Sequence, residues 1–316
     1  MKHSIYNSSG ICIAKKRRGR IGRREKIEGF CMVIIPFLGF LVFTVFPLAL
    51  SAVVSFYDLH SYDLSTMTFV GFDNYIKMFQ NPMFSKAIVN TLYFCLSIPI
   101  NMTSQLFLAN LLAKPINKHF AKAARMVLYL PTIIGGVAIS LIWNWILEPN
   151  FGVFNTILTS LGLPKVGFTT TEAWFMPSVL LIKWWSVGMN VLVLQAALAN
   201  VDTTLKEAAR IDGASERRVF FCITLSQISP MLIYTFITTF IDSFGEMSTM
   251  QIISSGGLGP NGAAITLSYL MYRMVGAEMF TQGFGAGSAL GLMMGIFSFV
   301  FLEFSGWAIR KWLSFD

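Results

Sequence analysis

Two carboxylates four residues apart, Asp242 and Glu246, stand in a run of mostly apolar residues. That spacing puts both on one face of a helix, with Ser243 and Ser248 supplying hydroxyls nearby. A second stretch, Lys183-Trp184-Trp185-Ser186 and then Asn190, sets hydrogen-bonding groups beside aromatic faces. Ionisable residues inside apolar segments are expensive and are therefore functional candidates by default. The chemistry they offer is recognition of a polar solute. Other chemistries lack their residues. Cys12, Cys31, Cys95 and Cys222 are far apart with no CxxC pair, and His3, His60 and His119 are equally scattered. Neither a disulfide framework nor a metal site is expected. No G-x-x-x-x-G-K followed by Ser or Thr occurs, so the sequence holds no nucleotide-binding P-loop.

Composition defines the elements that hold these residues. Of 316 residues, 54% are hydrophobic and 13% charged, roughly half the charged share of a globular protein; mean hydropathy is +0.62. Length alone would suggest about two soluble domains, but so little charge cannot cover a soluble surface. The chain reads as an integral membrane protein, which excludes most soluble-enzyme classes. Six apolar blocks, at about 30–56, 87–113, 126–147, 174–199, 223–253 and 283–309, are each long enough to cross a bilayer as helix. Alternating ten-residue strands are missing, which excludes a β-barrel. The first block exceeds the apolar core of a signal peptide and follows a long basic leader, so it reads as an uncleaved span. The expected fold class is an all-α membrane protein: a basic segment at 1–29, then a six-helix transmembrane bundle over 30–316.

The net charge of +8 raises the question of nucleic acid, but eight Lys and Arg residues crowd into residues 15–26, just ahead of the first apolar block. Such a cluster is a topology signal, and no nucleic-acid partner is expected. With the N-terminus inside, nineteen Lys and Arg fall on the cytoplasmic side and four, Lys77, Lys86, Lys165 and Arg273, on the outer side. Both termini are expected in the cytoplasm. Five spans carry proline: Pro36 with Pro47, Pro99, Pro131, Pro177 and Pro230. Two readings stand, ordinary bundle irregularity or bent helices around a pathway. The sixth span instead carries Gly283, Gly287, Gly291 and Gly295 at intervals of four, a face on which another helix can approach closely.

The cytoplasmic loop at 200–222 carries a motif. Thr204-Leu205-Lys206-Glu207 has capping-box spacing, so a helix is expected to start at Thr204. Gly213 suits a C-terminal stop with φ > 0, and Ser215 can cap a second helix running through Arg217 and Arg218. The product is helix, glycine elbow, helix, with a low alanine face fit for a partner's groove. Glu207-Ala208-Ala209, three residues, Gly213, nine residues, Ile223 and Leu225 resembles the EAA loop of bacterial ABC importer permeases. Ile211-Asp212-Gly213-Ala214-Ser215 is similar to the carbohydrate subgroup, the maltose and oligosaccharide type. Phe69-Val70-Gly71-Phe72-Asp73-Asn74-Tyr75, Asn90-Thr91, Leu130-Pro131, Gly256-Gly257 and the stretch from Tyr269 to Arg273 are similar to further landmarks of that family, in the pattern of the first of two paired permeases. Two places depart from it: Ser226 where the family has proline, and Gly256-Gly257-Leu258-Gly259-Pro260 where it has Gly-Gly-Pro.

The resemblance implies the type I importer permease fold in a bacterial inner membrane and a transport subunit rather than an enzyme. It implies a second permease, two ABC ATPase subunits or domains, an extracellular solute-binding protein and a carbohydrate substrate. This chain would bind no cofactor, ATP and Mg being used by the ATPases, which Glu207, Ala208, Ala209, Asp212 and Gly213 would contact. A sugar site needs polar groups for hydroxyls and aromatic faces for ring C–H surface. The resemblance places substrate contacts in spans four and five, where Trp185, Ser186, Asn190, Asp242, Ser243 and Glu246 stand. On the pathway reading Glu246 and Ser243 line a hydrated cavity and Asp242 is the buried, paired member; on the structural reading the two acids are simply a buried pair. Lys183 and Trp184 read as snorkelling and aromatic-belt residues at the outer interface. Three other functions stand beside this one: a glycerol-phosphate importer permease, which would call for cavity Arg and Lys; an ion-coupled secondary transporter, which would call for internal repeats; and a non-transport scaffold.

Overall fold

The computed structural model describes residues 23–60, 63–113, 118–276 and 279–313. Most of the basic segment at 1–29 lies outside them. Residues 1–50 and 51–316 form two units. In the first, the helix Arg23–Phe40 passes into a π turn at Leu41–Val45, with the Phe46 N–H donating to the Leu41 carbonyl. The wide turn falls just before Pro47, whose ring would otherwise crowd the carbonyl four residues back.

By length and composition three helices can cross a membrane: Glu28–Val54, Pro82–Ala113 and Gly283–Trp307. Three further pairs of helices meet the same measure only when taken together across a bend, and make the count six if each pair is one span: His119–Ile133 with Gly136–Ile146 at 109°, Glu172–Trp185 with Gly188–Ala199 at 43°, and Glu216–Gln227 with Ser229–Ile253 at 73°. These six segments match the six apolar blocks in place, and half of them are not straight. Two bends have a local cause. Pro131 and the pair Gly135-Gly136 weaken the third span where it turns, and Pro230 stands in the first turn of Ser229–Phe244, after the break at Ile228. The fourth differs: Pro177 lies inside Glu172–Trp185, and the chain breaks at Ser186-Val187 instead. That break lets Gly188–Ala199 pack against Ser97–Ala113, Lys118–Ile133 and Ser229–Phe244. Gly188 makes the approach possible, because a Cβ there would overlap the Leu128 carbonyl. At the far end of this packing, Gln195 Nε2 and an Arg125 guanidinium nitrogen both donate to the Leu112 carbonyl, at 3.2 and 3.4 Å. They satisfy a carbonyl that its own helix end leaves open.

The glycine seam of the sixth span holds in part. A Cβ on Gly287 would meet Val275 Cγ2 at 2.5 Å and one on Gly291 would meet Met271 Sδ at 3.0 Å, where Leu267–Val275 packs against this helix, but Gly295 has no neighbour within 4 Å. Gly283 serves another purpose, holding φ +77° at a kink. Gly285 has no room for a Cβ against the Tyr57 carbonyl.

Several of the sequence landmarks turn out to be backbone clamps. Buried Asn74 donates from Nδ2 to the Ser55 and Tyr57 carbonyls, both at 2.9 Å. Asn90 Nδ2 donates to Gly262 O at 3.0 Å and Ile265 O at 2.8 Å, and the Thr91 hydroxyl accepts from Leu267 N at 2.9 Å. Tyr269 Oη and an Arg273 guanidinium nitrogen donate to the Gly257 and Gly256 carbonyls at 3.0 and 2.8 Å. Residues that stand up to 176 positions apart in sequence thereby hold irregular backbone in place.

Candidate functional site

Lys183 stands in the last turn of Glu172–Trp185, the first half of the fourth span, and its ammonium is held by two carboxylates. Nζ lies 2.6 Å from Glu246 Oε2 and 2.7 Å from Asp242 Oδ2. Its side chain is 9% exposed, so the interfacial reading of Lys183 does not hold. The two acids also exchange the places expected of them. Glu246 is 9% exposed, accepts from Thr249 N at 2.8 Å, and is the buried partner, whereas Asp242 is 65% exposed. The reason is a helix end. Ser229–Phe244 stops at Gly245, whose N–H donates to the Ile241 carbonyl, and Ser248–Ile253 begins beyond it. Asp242 and Glu246 therefore stand on either side of a break and converge on one cation.

Asp242 opens on a cavity of about 370 Å³. Ser186 and Asn190 of the fourth span and Thr238 and Thr239 of the fifth share its wall. Asn190 Nδ2 donates to Thr239 Oγ1 at 3.1 Å and its Oδ1 accepts from Thr238 Oγ1 at 3.4 Å, which fixes the carboxamide. Of the six pathway candidates, Ser186, Asn190 and Asp242 reach this cavity; Trp185, Ser243 and Glu246 are not among its lining residues. Buried Ser243 pairs with Ser97 at 3.0 Å, and the Trp185 ring meets Trp143 edge-on with centroids 5.5 Å apart, packed on the apolar core. Trp184 is partly exposed and donates from Nε1 to the Ser104 hydroxyl at 2.8 Å. The second span adds Asn101 and Gln105 to the wall, and sequence reasoning missed them. Their signal was available: two carboxamides four apart in an apolar helix, the same spacing as the two acids. Among the described residues no group of three or more His, Cys, Asp or Glu is placed to hold a metal.

The loop at 200–222 forms the expected elbow with one correction at its start. The helix Thr203–Ile211 is capped by Asp202, not Thr204: the Asp202 carboxylate accepts from Thr204 N at 2.8 Å and Thr204 Oγ1 at 2.7 Å. The Thr204 hydroxyl and N–H hold the Asp202 carboxyl below its ordinary pKa. Aspartate is the stronger cap, and its own N–H donates to Gln227 Oε1 at 3.0 Å. At the other end Gly213 adopts φ +81° while Ala214 N donates to Ala209 O at 2.9 Å and Gly213 N to Arg210 O at 3.0 Å, a Schellman stop. Ser215 caps the next helix through Arg218 N. The two arms are tied by a bidentate Arg210–Glu216 pair at 2.6 and 3.1 Å. No residue of Thr203–Ile211 is buried, and Leu205 and Ala208 are exposed, as is Ile211 at 86%. Glu207 and Asp212 are exposed on the same short helix and its cap, while Ala209 is half-buried.

A family described as binding-protein-dependent transport system inner membrane component matches residues 69–312. The lactose transport system permease protein LacF of Rhizobium radiobacter is 26% identical, covering 95% of this chain and 100% of its own length. The arabinooligosaccharides transport system permease protein AraP of Halalkalibacterium halodurans is 31% identical over 86% of this chain and 85% of its own. Among solved structures, a bacterial alginate ABC transporter in complex with its alginate pentasaccharide-bound periplasmic protein shares the fold, with a TM-score of 0.74 at 23% identity over 92% of this chain and 96% of that one.

Proposed function

We propose, from the premise that this chain belongs to the family of binding-protein-dependent transport system inner membrane components, that it forms half of a pathway for uncharged saccharides. The chain is a multi-pass permease subunit of an ABC importer and not an enzyme. The observation that carries the substrate reading is the charge balance of the cavity. Its wall is built of amides and hydroxyls, and Lys183, the one cation lining it among the described residues, is already held by Asp242 and Glu246. A phosphate or carboxylate would meet the open Asp242 carboxylate with no free cation to balance it. An uncharged polyol finds donors and acceptors. LacF and AraP, named for lactose and arabinooligosaccharides, support the same class. Proteoliposomes holding the complete complex, supplied with its binding protein and ATP, should import radiolabelled lactose, arabinotriose or diacetylchitobiose and leave glycerol phosphate outside. Import of glycerol phosphate with none of the three sugars would overturn this reading.

A second permease and two ATPases complete the proposal. The elbow is tied across by the Arg210–Glu216 pair and exposes Leu205 and Ala208, three residues apart on one face, with half-buried Ala209 beside them. It suits a groove on an ATPase, whose ATP-driven closure would move the spans it is continuous with. This requires the loop at 200–222 in the cytoplasm, as the charge asymmetry indicates. In a background without native cysteines, a cysteine at Ser160, exposed at the end of Val153–Ser160, should react with an impermeant maleimide added to intact cells. Ser61, on the same expected side, lies outside the described residues. A cysteine at Ser215 should stay unlabelled until the membrane is opened. Labelling of Ser215 in sealed cells would reverse the orientation and remove the ATPase contact with it.

A further inference from the structure

The geometry points to a subsite for sugar hydroxyls on the second span, formed by Asn101 and Gln105 in the cavity that also holds Asp242. It rests on the saccharide pathway proposed above and adds a wall that neither the sequence motifs nor the two functional spans supply. Both residues belong to the helix Ser97–Ala113, and a four-residue spacing places their Cβ atoms about 5–6 Å apart on one face. Asn101 is 4% exposed and Gln105 2%. Both line the cavity, and the side-chain oxygen of each is buried with no hydrogen-bond partner.

Buried acceptors without partners are rare because water has been lost and nothing replaces it. Two stand on successive turns of one helix at the wall of one cavity, and packing alone does not call for them, since apolar side chains of similar size would fill the same space at no cost in unmade hydrogen bonds. Their neighbours are satisfied within the protein. Asn190 bonds Thr238 and Thr239, and Asp242 is held by Lys183. The acceptors left over ask for donors brought by the cargo. Hydroxyls on opposite sides of one sugar ring match a separation of about one helical turn. The subsite thus reads one ring of an uncharged saccharide, with Asn101 and Gln105 each accepting a hydroxyl proton in a hydrogen bond.

Gln105→Met and Asn101→Leu separate this role from a structural one. Each removes the acceptor at similar volume, so the assembled complex should form in wild-type yield and melt at the same temperature or higher. Uptake of lactose, arabinotriose or diacetylchitobiose per assembled complex should fall by about fivefold to tenfold, the worth of one neutral hydrogen bond. Monodeoxy derivatives of the transported sugar sharpen the readout: one of them should be imported poorly by wild type and no worse than the parent sugar by the variant that lost the matching acceptor. Asn101→Ser keeps a short acceptor and should assemble normally with intermediate uptake. Wild-type uptake in all three variants would overturn the subsite while leaving the pathway standing. Loss of assembly in the two apolar variants, with wild-type uptake by Asn101→Ser, would make the carboxamides structural. A wild-type complex that imports none of the sugars would overturn the subsite and the pathway together.

Discussion

Lys183→Met should lower the stability of the assembled complex by about 3–5 kcal/mol, because it leaves the buried Glu246 carboxylate without its counter-ion. The effect is expected as a sharp fall in complex yield and melting temperature in detergent. Asp242→Asn should change yield little, since a pair with one partner 65% exposed contributes about 0–1 kcal/mol; its effect should fall on transport. Removing both buried partners discriminates further. Lys183→Met with Glu246→Leu exchanges a buried ion pair for apolar packing, which is often neutral, so the double variant should recover most of the yield. Uptake should not recover with it, because Asp242 then stands in the cavity without its cation. Normal assembly of Lys183→Met alone would show that Glu246 is solvated in the working complex and would remove the structural role assigned to the pair.

Gly213→Asp should uncouple transport from ATP hydrolysis, with uptake falling at least tenfold. The position holds φ +81°, where a non-glycine residue is strained by about 1–2 kcal/mol. Within this chain a Cβ there would meet no atom within 4 Å. The backbone strain is modest and the added Cβ finds open space, so a large loss of uptake is expected from the surface that the elbow presents to a partner. Complex yield should drop modestly and capture of sugar by the binding protein should persist, because that step needs no elbow. Stimulated ATPase activity and uptake should both fall. Full uptake with full stimulation in the variant would reject a coupling role for Gly213 and for the helix it terminates.

The sequence was sufficient for whatever depends on neighbours along the chain. Six apolar blocks follow from the thickness of a bilayer, and each has a matching helix or bent pair. The elbow was legible at Gly213 and Ser215 because a positive φ and a cap are local requirements met by particular residue types. Even there the start was misread. Thr204 with Glu207 has the spacing of a capping box, but Asp202 two residues earlier is the stronger acceptor and took the cap.

What depended on distant neighbours could be read only from the fold. A period of 3.6 residues says that Asp242 and Glu246 share a face, on the condition that the helix continues. It ends at Gly245, so one acid turned inward to Lys183, 63 positions away, and the other toward the cavity. Lys183 itself had an inexpensive local explanation at the membrane surface, and only the packing of spans four and five placed it between two carboxylates. Asn101 and Gln105 carried the same four-residue spacing as the acids. Their place in the molecule came from the break at Ser186-Val187, which brings Gly188–Ala199 against their helix, so that Asn101 and Gln105 share a cavity wall with residues of other spans. Periodicity along one helix can name a face, but what that face meets is decided by chain breaks and by contacts between residues far apart in sequence.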